Sequence, residues 1–269
     1  VSQRIADCFT AARLNGRKVL IPFITAGDPD PDSTVAVMHA LTNAGADLIE
    51  LGIPFSDPMA DGPVIQLASE RAIEKQVTIV SVLEMVEAFR QTDKNTPVVL
   101  MGYMNPIERF GRSRFPHAAV NAGVDGVILV DCPPEERDDL GIAMGDAGLD
   151  GICLVAPTTT RERVKYIATI ASGFIYYVSL KGITGSGQLD SPKLSEPIKQ
   201  IREFSDLPVA VGFGIKNAAM AVAVAAHSDA VVMGSALVEA LSEAGTTQEA
   251  CSIASAFVAP VRQSLDNMR

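Results

Sequence analysis

A single closed (β/α)8 barrel, the TIM barrel of the α/β class, is predicted for this 269-residue chain. Three observations predict it. Eight short apolar runs recur at 19–24, 47–52, 97–103, 125–130, 149–155, 174–178, 207–211 and 229–233. They are continuously apolar rather than alternating, as parallel strands covered on both faces must be. Segments of helical pattern separate them, with no Gly/Ser linker or charge run between, so one domain over 1–269 is expected. A doubly wound open sheet is the alternative arrangement of the same units.

Taken in order, Ile5, Cys8, Phe9 and Leu14 are spaced as one face of an opening helix over 2–14, stopped by Asn15-Gly16. The first strand run ends at Thr-Ala-Gly-Asp-Pro29, and a helix follows over 33–43. The phrase Ala44-Gly-Ala-Asp47 then leads into the second run, and it returns as Ala122-Gly-Val-Asp125 and Ala147-Gly-Leu-Asp150 before the fourth and fifth. Glycine suits the helix end because it tolerates positive φ, and the residues after it open a buried strand. Surplus length lies in the opening helix, in an elaborated connection 53–96 after strand two, and in a C-terminal helix near 247–265. Material added after a strand's C-terminal end lies where barrels build active sites.

Composition narrows the function. A net charge of −10 and the lack of Lys/Arg clusters argue against a nucleic-acid surface. Backbone N–H groups can still hold a phosphate. Cys8, Cys132, Cys153 and Cys251 lie far apart without a CxxC pair, as expected of free thiols in a reducing compartment. No apolar run approaches the roughly 20 residues that span a bilayer, and VSQRIADCF lacks a signal-peptide pattern, so a cytoplasmic protein is expected.

The chemistry concentrates in Glu50-Leu-Gly-Ile-Pro-Phe-Ser-Asp-Pro-Met-Ala-Asp-Gly-Pro63. Glu50 lies inside an apolar run, where an ionised side chain costs roughly several kcal/mol unless paired or neutralised. The runs offer no interior Lys or Arg to pair with it. Apolar surroundings raise a carboxyl pKa, which makes Glu50 a candidate general acid/base. Asp61 stands before a helix that starts near Val64, and N-capping and catalysis are equally open roles for it.

His39, His117 and His227 fall in or at the ends of helices, which disfavours a His-ligated metal or a Ser-His-Asp triad, and no metal is expected. Lys18, Lys181 and Lys216 fall outside the runs, which disfavours a Schiff base. Glycine-rich turns follow strands six, seven and eight, around Thr184 and Gly185, Gly212-Phe-Gly-Ile215, and Gly234-Ser235. Such loops are where barrels hold phosphate. The turn after strand six has the composition of a lid. Tyr103, Tyr176 and Tyr177, with Phe23 and Phe213, are candidate aromatic walls.

These residues carry a resemblance. Pro22-Phe-Ile-Thr-Ala-Gly-Asp-Pro29, the Glu50 to Pro63 motif, Gly182-Ile-Thr-Gly185, Gly212-Phe-Gly-Ile215 and Gly234-Ser235 together resemble the tryptophan synthase α-subunit family over nearly the whole chain. The resemblance implies retro-aldol cleavage of indole-3-glycerol phosphate to indole and glyceraldehyde 3-phosphate, with no cofactor or metal in this chain. Glu50 would be the general acid/base and Asp61 the partner of the indole nitrogen. Gly185, Gly214, Gly234 and Ser235 would hold phosphate, with Phe23, Tyr176 and Phe213 lining the pocket and Thr184 bringing a lid to Asp61. It further implies a pyridoxal-phosphate-dependent β subunit in an αββα assembly, contacted through 54–57 and 103–106. Met59, where Leu is frequent, and the Gly102-Tyr-Met-Asn-Pro106 segment depart from the usual pattern. Two other readings use the same fold: a ligand-gated activator with little chemistry of its own, and a sugar-phosphate isomerase or Schiff-base aldolase using Lys181.

Overall fold

The computed structural model describes residues 2–179, 191–212 and 214–268, with side chains omitted at 191–193. Eight parallel strands close in sequence order: β1 Val19–Thr25, β2 Ile49–Gly52, β3 Val98–Gly102, β4 Gly126–Leu129, β5 Asp150–Val155, β6 Ile175–Val178, β7 Val209–Gly212 and β8 Ala230–Met233. The described helices are α1 Gln3–Leu14, α2 Thr34–Asn43, α3 Pro63–Glu74, α4 Ile79–Phe89, α5 Met104–Phe110, α6 Phe115–Ala122, α7 Asp138–Ala147, α8 Arg161–Ile170, α9 Ser191–Arg202, α10 Ala218–Ala225, α11 Ser235–Leu241 and α12 Thr247–Asp266. Every predicted strand run holds one strand, and the open-sheet alternative is excluded by β1 pairing with both β2 and β8.

Register fixes the barrel's geometry. The ring of pairs leaving β1 at Phe23 passes Glu50, Val99 and Gly126 and reaches β5 at Asp150. The ring arriving at β1 on Val19 comes through Ala230, Ala210 and Tyr176 from Leu154 of β5. Each offset is four residues, giving the net stagger of eight that an eight-stranded barrel of this class has. The inward side chains therefore stack in layers of four from alternate strands. One layer is Glu50, Ile128, Tyr176 and Val232; the next toward the C-terminal mouth is Phe23, Met101, Leu154 and Gly212. A strand's side chains alternate between faces, so Tyr176 points into the barrel while Tyr177 joins the core between sheet and helices. That corrects the placing of Tyr177 on a pocket wall.

The N-terminal end is sealed and clamped. From α1, Ile5, Phe9 and Ala12 pack with Leu48 and Phe174 under the barrel, the Phe9 and Phe174 ring centroids lying 5.6 Å apart. Gly45, Gly123 and Gly148 of the recurring phrase have φ of 105°, 95° and 77°, positions where a β-carbon is strained. The aspartates of the phrase do more than begin strands. Asp47 accepts the Leu20 N–H and Asp125 the Val98 N–H, each at 2.9 Å, and Asp229 does the same for Val209. Arg262 meets Asp47, Arg90 and Arg4 meet Asp125, and Arg202 meets Asp229, at 2.8 to 3.1 Å. Each of these carboxylates is paired, so removing one partner would leave a charge uncompensated at this end of the barrel.

Candidate active site

Glu50 sits in the barrel axis, 1% exposed, in the middle of β2. Its register with Phe23 and Val99 turns it inward. The strand forms because Ile49 and Leu51 bury the opposite face against the helices. Glu50 differs from the other buried carboxylates in that each of those has at least one oxygen held by a partner, although Asp150 Oδ1 is also left without one among the described residues. Asp28 is held by Arg71 Nε and Nη2 at 2.6 and 3.0 Å, Asp125 by two arginines, and Asp150, which opens β5, by the Ser2 N–H. Glu50 Oε2 has no hydrogen-bond partner, and no cation pairs with Glu50 among the described residues. A structural ion pair is thereby eliminated as the reason for a glutamate here. Burial, and secondarily the charge of Asp61, push its pKa from 4.5 up to about 8. Its surroundings favour the protonated form near neutral pH.

Asp61 lies in the loop between β2 and α3. Gly62, not Asp61, is the N-cap of α3, and no side chain caps that helix, which removes the capping role. The loop is tied down through backbone groups: Asp61 donates its N–H to Pro58 O at 3.0 Å, and Gln66 Nε2 donates to Asp61 O at 2.8 Å. The carboxylate is left for the pocket. Burial raises its pKa, while a hydrogen bond from the Tyr103 hydroxyl opposes that rise. Tyr103 also accepts the Ala60 N–H at 3.2 Å and stacks on Phe55 at 5.3 Å. The sequence marked Tyr103 as a wall; the structure makes it the post on which the Asp61 loop rests.

Between Phe23, Thr25, Asp61, Ser69, Met101 and Tyr103 lies a cavity of ≈10 Å³, about the volume that admits one water. The Thr25 hydroxyl is buried there without a partner among the described residues. Sequence reasoning missed Thr25, because the first apolar run ends before it; only the parity of Phe23 could have pointed it inward. Glycines make the room in this end of the barrel. A β-carbon at Gly212 would overlap the Tyr176 hydroxyl, and one at Gly52 would lie 2.7 Å from Phe23 Cζ. Tyr176 is 8% exposed, and burial together with the Glu50 charge raises its pKa well above 10, so the phenol stays neutral.

Gly234 is the N-cap of α11 and Ser235 its first residue, beside Phe23. Gly214 has φ of 77° and open space where a β-carbon would project. The predicted Thr184, Gly185 and Phe213 lie outside the described residues. The structure thus brings Glu50, Asp61, Phe23, Tyr176, Gly214, Gly234 and Ser235 to one end of one barrel.

Residues 9–265 match the family model described as tryptophan synthase alpha chain. The chain belongs to the tryptophan synthase alpha chain family. It is 56% identical over 263 residues to the tryptophan synthase alpha chain of Ralstonia nicotianae, covering 98% of this chain and 99% of that one. It is 55% identical to that of Xanthomonas euvesicatoria, with 98% and 99% covered. Among solved structures, tryptophan synthase subunit alpha of Legionella pneumophila superposes with a TM-score of 0.91 at 46% identity, covering 99% of each chain. A chain of the aminoacrylate-bound tryptophan synthase of Mycobacterium tuberculosis gives 0.87 at 34% identity, over 98% of this chain and 100% of that one. None of the described helices is long and apolar enough to cross a membrane.

Proposed function

We propose that Glu50 moves the protons and Asp61 holds the ring nitrogen in the reaction of the tryptophan synthase alpha chain. That reaction is the retro-aldol cleavage of indole-3-glycerol phosphate to indole and glyceraldehyde 3-phosphate, a carbon–carbon lyase step in L-tryptophan biosynthesis. This chain, as a family member, performs it. The observation that carries the residue assignment is the buried carboxyl of Glu50 in the barrel axis, whose Oε2 has no hydrogen-bond partner among the described residues.

Cleavage begins with a proton. Glu50 donates it to C3 of the indole, forming an indoleninium cation whose charge is centred on the ring nitrogen. Two close carboxyl groups resist ionising together. With the proton on the deeper Glu50, Asp61 carries the negative charge, accepts the ring N–H and stabilises the cation. Glu50, now a carboxylate, takes the proton from the side-chain hydroxyl next to C3. The C3–carbon bond breaks, its electrons restore the aromatic ring, and the hydroxyl carbon becomes the aldehyde. One carboxyl closes the proton cycle.

Phe23, Tyr176 and Phe213 flank the ring. Gly185, Gly214, Gly234 and Ser235 bind the phosphate through backbone N–H groups and the Ser235 hydroxyl, and Thr184 covers Asp61. The ≈10 Å³ cavity must widen for the ring to enter, by parting of the Phe23 and Asp61 walls. The chain needs no cofactor or metal of its own. It works with a pyridoxal-phosphate-dependent β subunit in an α2β2 assembly in the cytoplasm, docking through 54–57 and 103–106. Met59 is 84% exposed on the same loop as Asp61. A partner pressing there reaches Asp61 through Tyr103 and Phe55.

The pH dependence of indole release by the isolated chain tests the role of Glu50. The account expects turnover to fall as pH rises through about 8, when the donor loses its proton. A rate that climbs steadily from pH 6 to pH 9 would assign the first proton to another group.

A further inference from the structure

A cleft of ≈670 Å³ opens at the N-terminal end of the barrel, opposite the mouth above Glu50. Its size is that of small-molecule sites, which span about 300–1,000 Å³. The walls are α1 on one side and the residues entering β1, β6, β7 and β8 on the other. Phe9, Leu207 and Pro208 supply an apolar floor, and the ring pair of Phe9 and Phe174 stiffens it.

The rim carries Arg13, Arg17, Lys18 and Arg202 against Asp206 and Asp229. That excess of cations is notable on a chain of net charge −10. Two of the four have structural work: Arg17 reaches Asp47 and Asp266 at 3.5 and 3.0 Å, and Arg202 reaches Asp229 at 3.1 Å. The other two take part in no such ion pair. Among the described residues no carboxylate pairs with Lys18 or Arg13. Lys18 is half-buried, and its Nζ donates to Ser228 O at 2.7 Å, which uses one of three N–H groups. Burial lowers its pKa, and the charge of Asp229 offsets that only in part. An apolar floor under a rim with four cations to two carboxylates describes a receptor for an anion with a flat body. We propose that this cleft is a second ligand site, specific for small aromatic carboxylates, with Lys18 and Arg13 holding the carboxylate and the Phe9–Leu207–Pro208 floor holding the ring.

The test is titration of the full-length chain with 1-naphthoate, followed by backbone amide chemical shifts, with neutral 1-naphthamide in parallel. The expected result is saturable shifts of amides in 6–18 and 202–208, with at least fivefold weaker binding of the amide. Lys18→Gln should weaken 1-naphthoate at the cleft at least fivefold while leaving indole release unchanged, and Lys18→Arg should restore it. Should Lys18→Gln fail to fold, Arg13→Gln, on the exposed face of α1, supplies the same comparison. Shifts confined to residues around Glu50 and Tyr103, equal binding of acid and amide, or no effect of either substitution would overturn the proposal.

Discussion

Replacing Glu50 by glutamine is expected to remove a pH-dependent cost from the fold. The folded carboxyl titrates near 8 and the unfolded one near 4.5, so between those values the folded chain keeps a proton that the unfolded chain has released. Stability of the native protein is therefore fully retained below the unfolded pKa and declines as pH rises toward the folded one. Each unit of that window is worth about 1.4 kcal/mol, so from pH 5 to pH 7 the unmodified chain should lose about 2 to 3 kcal/mol relative to Glu50→Gln. Comparing the difference between two pH values cancels the pH-independent cost of burying an amide in place of a carboxylic acid. The assay is urea unfolding of both proteins at pH 5, 6, 7 and 8, followed by circular dichroism. The variant should gain on the parent by that amount between pH 5 and pH 7. Parallel profiles would mean that Glu50 ionises normally in the folded protein, and the proton-donor role would fall with its raised pKa.

Two further outcomes probe the neighbouring groups. Asp61→Asn keeps the shape of the side chain but removes the charge that faces the ring nitrogen, and should lower kcat for indole release about 100-fold or more, as loss of one preorganised electrostatic group does; kcat within threefold of normal would remove Asp61 from the reaction. Gly212→Ala would drive a β-carbon into the Tyr176 hydroxyl, so overpacking should cost about 1–3 kcal/mol in urea unfolding and indole release should drop as the ring is displaced; an unchanged urea midpoint would show that this layer is not tightly filled.

Much of this architecture was legible in the sequence because a parallel barrel strand is buried on both faces and leaves an unbroken apolar run. That same continuity hides which face each residue takes. Tyr176 and Tyr177 are equivalent in the run, yet one faces Glu50 and the other faces the helices. The register that separates them is set by pairing with Ala210 and Val211, far away in the chain. Glu50 stood out because a carboxylate amid Leu and Ile has few innocent explanations. Asp125 and Asp150 did not, since an aspartate after Ala-Gly reads as the end of a loop; their arginine and backbone partners come from remote segments such as Arg90, Arg4 and Ser2. Asp61 was readable only as one of two roles, and it took the identity of the α3 cap, Gly62, to separate them. Thr25 was missed for a related reason: a polar residue closing an apolar run looks like the start of a turn, whereas β1 continues through it.

The central claim is that one buried carboxyl, Glu50, carries both proton transfers. The most direct measurement is indole release from indole-3-glycerol phosphate by Glu50→Gln, at pH 7, in protein whose circular dichroism matches that of the parent. The account predicts turnover lowered by orders of magnitude with the fold intact, since the amide fills the same space and cannot shuttle a proton. Cleavage at a near-normal rate by that folded variant would contradict it.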